Sequence, residues 1–598
     1  MIVMRTHAAK DCNFKTRGSH FIATVVLVSA YLWNIPLPAA GESLDCHVSW
    51  VGNSFSGAND KWVQNFFIHM NVEPDGTVHT WSHWDEGGKR FGVYKDGDVI
   101  GHQDTGANSL TTTDAEGRRW TLVVEYVDPN HNEYDFVPKW IECDGHRVTF
   151  PGLYQPAALA VANDGTLMVA DSWTGPRQQV LFYDVSDWRS PRLVRTFGAY
   201  GGIAAGRPGV VTPKKFWGIR GIGMDHEGNL YVAMSEMGTV LRKFSPDGDL
   251  LWDLHGHFFV DVACADPKTD GRDVWGIQEH YVMDYNQPPG QEVSWVGYSL
   301  DRHHYPQDPR GLMFVKQQGE HGLTSPQIAY LEGKRFMFVG GMFASNFINI
   351  FRYDGEIAIP SGLIMQWDGG IYRTERKWPP KRPREPFIWR DVNGDGQYQA
   401  TEYGENTPRV HPGPFWVDSK GNIWMAYNFF RYDFQGLDKR GNPIYRPDKI
   451  TVLEKPNDVE TVARVWYDSD RDILVTAEQG SDMRHINRVF ICRDYLAGNR
   501  RAVTFEPGAG SEAGCISAAG DYVFTGGWKE RGRIWVNRMS DGKLVGTFEP
   551  GSTVGGVDNT GWIDIMTGIT AHKRANGEYL IFVEEDYKAK AILYRWTP

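Results

Sequence analysis

The chain has 598 residues, a formal net charge of −12 and 13% aromatic residues. That length exceeds one ordinary domain and can bury a sizeable core. The acidic balance repels phosphate backbones and argues against nucleic acid as a partner.

The N-terminus reads as an export signal. Arg5, Lys10, Lys15 and Arg17 precede the apolar run "FIATVVLVSAYLWNI", and "PLPAAGES" then offers small residues suited to cleavage near Gly41. Residues 1–41 are therefore assigned to a signal peptide and residues 42–598 to a secreted or periplasmic chain. The apolar run is short for a bilayer span, an uncleaved anchor being the other reading, and no later stretch is long enough. Cleavage would remove four basic residues and one acidic one, taking the net charge from −12 to −15. Five cysteines would remain, an odd number that leaves one thiol over. Cys492 with Cys515 and Cys46 with Cys143 are candidate pairs, and five unpaired thiols is the alternative.

Past the leader the chain repeats itself. "ALAVANDGTLMVADS" (158–172), "GIGMDHEGNLYVAMS" (221–235) and "FWVDSKGNIWMAY" (415–427) each join two β runs through an x-Gly turn, a hairpin signature. A second hairpin follows at a steady distance: Gly76 and Gly97, Gly228 and Gly248, Gly271 and Gly290, Gly333 and Gly355, Gly421 and Gly441, Gly520 and Gly542 are 19 to 22 residues apart. Weaker units turn near Gly117, Gly165, Asp470 and Gly577.

Two tandem hairpins make a four-stranded antiparallel unit with two apolar faces, and radial packing of such units gives an all-β propeller. About eight blades are favoured by the usual size range, up to ten units can be counted, and two smaller propellers are the alternative. The last unit supplies only part of a blade, so the early strand "HVSWVG" (47–52) is expected to complete it and close the ring.

The pattern D-x-x-G-N/T, then "LYVA" or "LMVAD", then an apolar run to "PDG" resembles NHL-type repeats over roughly 155–255 and 410–445. That resemblance implies a propeller fold. It carries over no catalytic residue, because propellers host binding proteins, lactonases and lyases alike.

In such blades one face carries minimal turns, while the loops between second and third strands and the crossovers lie on the other face. The second face is expected to hold function, since its loops are long and rich in Trp, Arg, His, Asp and Glu. They include "HWDEGGKR" (83–90), "WTGPRQQ" (173–179), "EQGSDMRHIN" (478–487), "GWKERGR" (527–533), "EEDYKAK" (584–590) and the crossovers 200–221 and 368–414. Flat aromatics with a polar edge, beside directed hydrogen-bonding groups, suit a carbohydrate. Trp84, Trp173, Arg177, Trp217, Arg484 and Trp528 are the candidate ligand contacts, against the alternative that tryptophans pack between blades.

His321, Glu478 and His485 are the candidate catalytic groups for a carbohydrate hydrolase, lactonase or lyase, chemistry that needs a general acid or base. Glu584, Glu585 and Asp586 form a further acidic group in one such loop. "LHGHFF" places His255 and His257 on one side of a strand, a weak metal signal.

The stretch "DVNGDGQYQATE" has the spacing of a calcium loop: Asp391, Asn393 and Asp395 at positions 1, 3 and 5, Gly396 at the sharp turn, Gln397 through its carbonyl and Glu402 at position 12. Prolines before it exclude an ordinary entering helix. It is read as a Ca2+ clamp in a long crossover beside the binding mouth. The sequence thus describes a monomeric, secreted, calcium-binding propeller that binds, and in one reading cleaves, a glycan or small-molecule ligand. A non-catalytic recognition protein is the alternative, marked by the lack of a perturbed titratable pair at the mouth.

Overall fold

Alternating apolar runs and x-Gly turns fold as the repeat predicts. The computed structural model describes residues 41–128, 132–171, 176–259, 262–311, 323–342, 347–366, 378–384, 386–406 and 413–598. The leader assigned to residues 1–41 lies outside them except for Gly41. Within them stand ten antiparallel sheets, nine of four strands and one of six. In chain order the blades occupy 67–101, 111–148, 156–197, 219–256, 264–298, 323–405, 415–452, 462–505, 513–548 and 569–596. Every repeat unit counted in the sequence is one sheet, so the preference for eight blades is corrected to ten. The turn glycines do the work assigned to them: Gly165 and Gly228 both have φ of 82°, a left-handed conformation that glycine adopts at least cost.

The packing of first strands divides the ten blades into two rings. In blades 5 to 10, Cys264–Ala265 packs on Leu323–Leu331, which packs on Phe415–Val417; the series continues through Val462–Asp468, Ala513–Ala519 and Ile569–Lys573, which returns to Cys264–Ala265. That is a closed ring of six. In blades 1 to 4, Phe67–Val72 packs on Ile219–Met224, Ile219–Met224 on Pro156–Val161, and Pro156–Val161 on Thr111–Thr113. Ser109, just before blade 2, ties the hub together: its hydroxyl accepts from Met70 N at 2.7 Å and its carbonyl from Leu159 N at 2.7 Å. A ring of four needs its inner strands unusually close. Gly221 and Gly223 permit this, since a Cβ at either would fall 2.4 Å from Met70 or Val72.

The six-bladed ring closes as expected. Strand His47–Val51 pairs antiparallel with Lys590–Trp596, Trp50 opposite Ile592, and becomes the outer strand of blade 10. From His47 onward the described chain therefore passes from the six-bladed ring through the whole four-bladed ring and returns. The two connecting segments brace each other at the seam: Asn53 bridges Gly256, and Asn65 Nδ2 donates to His257 O at 2.8 Å. His255 and His257 belong to this seam. His255 is bonded to Asp253 at 2.8 Å and His257 to the Tyr281 hydroxyl at 2.7 Å, the latter ring buried and held near a pKa of about 3 by loss of solvation.

The six-stranded blade corrects the placement of the calcium-type loop. Phe387–Arg390 pairs with the outer strand Ile357–Met365, and Tyr403–Glu405 pairs with Phe387–Arg390. Part of the stretch 368–414 is thus a radial extension of blade 6 and not a bare crossover. The loop 391–402 connects its two added strands, at the rim of the blade away from the hub. No disulfide joins Cys46, Cys143, Cys492 or Cys515. Among the described residues no helix is long and apolar enough to cross a membrane.

Candidate functional site

Arg464 organises the mouth of the six-bladed ring. It leaves the first strand of blade 8 at an irregularity between Val462 and Arg464, and its side chain is buried. Its guanidinium donates to Gly514 O at 2.8 Å, Met566 O at 3.1 Å, Ala463 O at 2.9 Å, Met483 O at 3.2 Å and Arg484 O at 2.9 Å. Five carbonyl dipoles from blades 8 and 9 and the approach to blade 10 are thereby held by one cation. Ser325 Oγ donates to Thr567 O at 3.1 Å, and Met566 N to Met342 O at 3.4 Å, so blade 6 reaches the same rim. Between blades 7 and 8 an open depression of about 550 Å³ is lined by Tyr427, Asn428, Lys455, Thr461, Gln479 and Met483.

Beside this hub lies a group of carboxyls. Strand Tyr579–Glu585 alternates, so Glu584 and Glu585 face opposite ways. Glu585 meets the Lys590 ammonium at 2.5 Å in a fully buried ion pair, and it also accepts from Gly561 N at 2.5 Å. Glu584, also 0% exposed, turns toward Asp564. Its Oε2 accepts from Ile565 N at 2.9 Å. Oε1 of Glu584 and Oδ1 of Asp564 are buried and receive no hydrogen bond among the described residues. The two carboxyls are close enough to act on each other's charge, an arrangement that favours one proton held between them. Burial pushes both upward, most strongly Glu584, where the charge of Asp564 adds to it. Asp586 accepts from Trp562 N at 2.7 Å and is raised in the same way, by burial and then by Asp564.

The four-bladed ring contributes to this mouth. Trp62 sits between the rings, its indole N–H on Asp85 at 3.1 Å and its face 5.2 Å from the Lys588 ammonium. That contact carries the loop 83–90 to blade 10. Trp84 donates to Glu86 at 2.8 Å. Burial lifts Glu86 to about 7, with the charge of Asp564 adding to it, and burial lifts Asp85 to about 7. On the other side Arg484 lies 4.9 Å over the ring of Trp528, close enough to Asp564 to act on its charge. Burial would raise Asp482, but bonds from Arg484 and from His485 Nδ1 at 2.8 Å outweigh it and hold it near 2.

Arg484 and Trp528 are thus brought together, His485 shares Asp482 with Arg484, and Trp84 is bonded to Glu86 on the other side of the acidic group. Glu478 does not serve as an unengaged base: Arg488 takes its oxygens at 2.9 and 3.1 Å, and Glu460 N donates to it at 3.1 Å. The single-mouth expectation is corrected for Arg177 and Trp217, which belong to the four-bladed ring. Arg177 pairs with Asp171 at 3.4 Å, and Trp217 is 2% exposed. Trp173 and His321 lie outside the described residues. Asp564 and Trp562 were not singled out from sequence. Both fall in 549–568, a crossover without a motif, and the face-sorting rule alone would have included it.

In the calcium-type loop Gly396 makes the sharp turn with φ of 68°. Asp391 accepts from Gly394 N at 3.0 Å, Asn393 from Asp395 N at 2.9 Å and Asp395 from Gln397 N at 2.8 Å. Glu402 returns from the far end to accept from Val392 N and Trp389 Nε1, both at 3.0 Å. The hard oxygen donors suit calcium in chemistry. The Arg352 guanidinium stands 3.3 Å from Asp391, the internal bonds occupy Glu402, and among the described residues no three His, Cys, Asp or Glu side chains are gathered about one point. Gln397 Nε2 donates to His304 O at 2.8 Å, tying the loop to the segment that leads from blade 5 to blade 6.

No protein-family model matches the chain, and no curated protein matches it. Among solved structures it is similar to the crystal structure of the Saccharomyces cerevisiae Sqt1, with a TM-score of 0.28 and 8% identity over 74% of this chain and 96% of that chain. So loose a likeness says nothing about function, and the propeller architecture stands on the ten sheets themselves.

Proposed function

We propose that this chain is an exported propeller protein of NHL type. The mouth of its six-bladed ring binds a carbohydrate or carbohydrate-derived ligand and hydrolyses a glycosidic or lactone C–O bond in it. The observation that carries the reading is the pair of adjacent buried carboxyls at Asp564 and Glu584, both raised by burial. Arg484 lies over the Trp528 ring and acts on the charge of Asp564, Trp84 is bonded to Glu86, and Trp562 is exposed two residues before Asp564. A carboxyl kept protonated by burial and by a like neighbour is the acid such a reaction needs at neutral pH. Asp564 is the partly exposed member and meets the ligand; Glu584 lies beneath it and holds the proton in place. The aromatic faces take the apolar side of a sugar ring, and Arg484 takes its hydroxyls or carboxylate.

Asp391, Asn393, Asp395, Gln397 and Glu402 are proposed as ligands of a Ca2+ ion that stiffens the rim of blade 6. The donor chemistry and the turn at Gly396 support this, and Arg352 is the competitor for Asp391.

The test is an oligosaccharide and lactone screen that follows both binding and product, with wild type beside Asp564→Asn. Binding with product in wild type and binding alone in the variant support hydrolysis. Binding without product in either supports the recognition reading. No binding to any sugar or lactone overturns the carbohydrate assignment.

A further inference from the structure

A second pocket, of about 390 Å³ and within the range of small-molecule sites, lies between the four-bladed ring and the segment that leads from blade 5 to blade 6. It forms where the approach to blade 4, the end of strand Leu230–Ser235 and the segment 301–304 meet. Its walls include Gln178, Tyr200, Trp217, Glu236, Arg302 and His304.

Charge in the pocket is unevenly distributed. Glu236 is nearly fully buried and is held from two sides, by Arg220 at 2.9 Å and by Arg302 on its other oxygen. Two guanidiniums thus share one carboxylate. The other wall carboxylate, Asp301, is taken by the backbone N–H groups of His303 and His304, both at 3.1 Å, and by the His304 ring at 2.6 Å. A buried indole adds a further donor: among the described residues Trp217 Nε1 has no acceptor, and Trp217 is 2% exposed. A buried N–H with no acceptor is destabilising, a cost an incoming oxygen would relieve. Arg302 retains some exposure, and Tyr200, at 58% exposed, offers a flat apolar surface at the rim.

We infer that this pocket binds a small single-ring organic carboxylate, its oxygens received by Arg302 and Trp217 Nε1 and its ring laid against Tyr200. The site is separate from the mouth of the six-bladed ring and does not rest on the carbohydrate reading. Asp301 stays with His304, and the ligand's charge balances the second guanidinium on Glu236.

The test is calorimetry on the full exported chain with sodium glucuronate and sodium benzoate as probes, and with glucuronamide as the uncharged analogue. At least one carboxylate is expected to bind saturably with a dissociation constant below about 1 mM, with the amide at least about tenfold weaker. Trp217→Phe keeps the ring and removes the N–H, and should weaken binding by roughly three- to tenfold. Arg302→Gln should weaken it by more than about tenfold. Should Arg302→Gln fail to fold, as judged by its melt, Trp217→Phe decides the matter. No saturable binding of either carboxylate, equal binding of the amide, or unchanged affinity in Trp217→Phe overturns the proposal.

Discussion

Asp564 and Glu584 are neighbouring carboxyls with one buried oxygen apiece that no N–H or O–H reaches among the described residues. Two ionised carboxylates in that position would repel each other at low dielectric, so the pair carries a proton at neutral pH. Around it Glu86, Asp85 and Asp586 are raised as well, which makes the whole inter-ring acidic cluster a reservoir of protons.

That reservoir sets the pH dependence of stability. A carboxyl whose folded pKa is raised contributes stability that is fully present below its unfolded pKa and is lost as pH climbs through the folded value. Asp85 and Glu86 are both lifted from about 4 to about 7, so the melting temperature should fall as pH rises from 5 to 8. Glu86→Gln keeps an acceptor for Trp84 and should flatten that fall by on the order of 2 kcal/mol. An identical pH profile in the variant would contradict the assignment.

Glu585 and Lys590 are a different case, a buried ion pair at 2.5 Å. Removing one partner strands a charge, so Lys590→Met should cost about 3–5 kcal/mol in denaturant unfolding. The double change Glu585→Leu with Lys590→Met should recover much of that loss. A double variant as unstable as the sum of the singles would show zero coupling between the two charges and contradict the paired assignment.

The close hub of the four-bladed ring rests on Gly221. A methyl group there would meet Met70 Cβ at 2.4 Å, and the strand cannot yield without parting blades 1 and 4. Gly221→Ala should cost roughly 1–3 kcal/mol by overpacking. Gly221→Ala with Met70→Gly, which removes the Cβ that is met, should restore part of it, and no recovery would place the strain elsewhere.

For the calcium loop, chelation should lower the melting temperature of wild type and leave Asp391→Ala unaffected. Because Arg352 holds Asp391 at 3.3 Å, Arg352→Met should tighten calcium binding by removing a competing cation. A melt indifferent to both calcium and chelator would remove the metal from the proposal.

The blades were legible because a hairpin needs local chemistry at its turn. Gly165 and Gly228 mark theirs, and the orphan strand at 47–51 pointed to its own closure. The split into two rings was not legible, because every blade shows the same rhythm. What separates the rings is which distant first strands touch: Gly221 and Gly223 letting blade 4 reach blade 1, and Ile569–Lys573 reaching Cys264–Ala265. Trp217 and Arg177 were placed at the wrong mouth for that reason. Glu478 looked available because Arg488 lies ten residues on, yet hairpin pairing folds it back onto the carboxylate. Asp564 was invisible because its partner is supplied by a strand twenty residues later and by burial, neither of which has a local motif.

Infrared absorption of the protonated carboxyl C=O at pH 8.5 tests the central claim most directly. Wild type should retain a carboxylic acid band there, well above the range where an ordinary Asp or Glu keeps its proton, and Glu584→Gln should lose most of it. Absence of the band in wild type, or an undiminished band in Glu584→Gln, would contradict a proton held between Asp564 and Glu584.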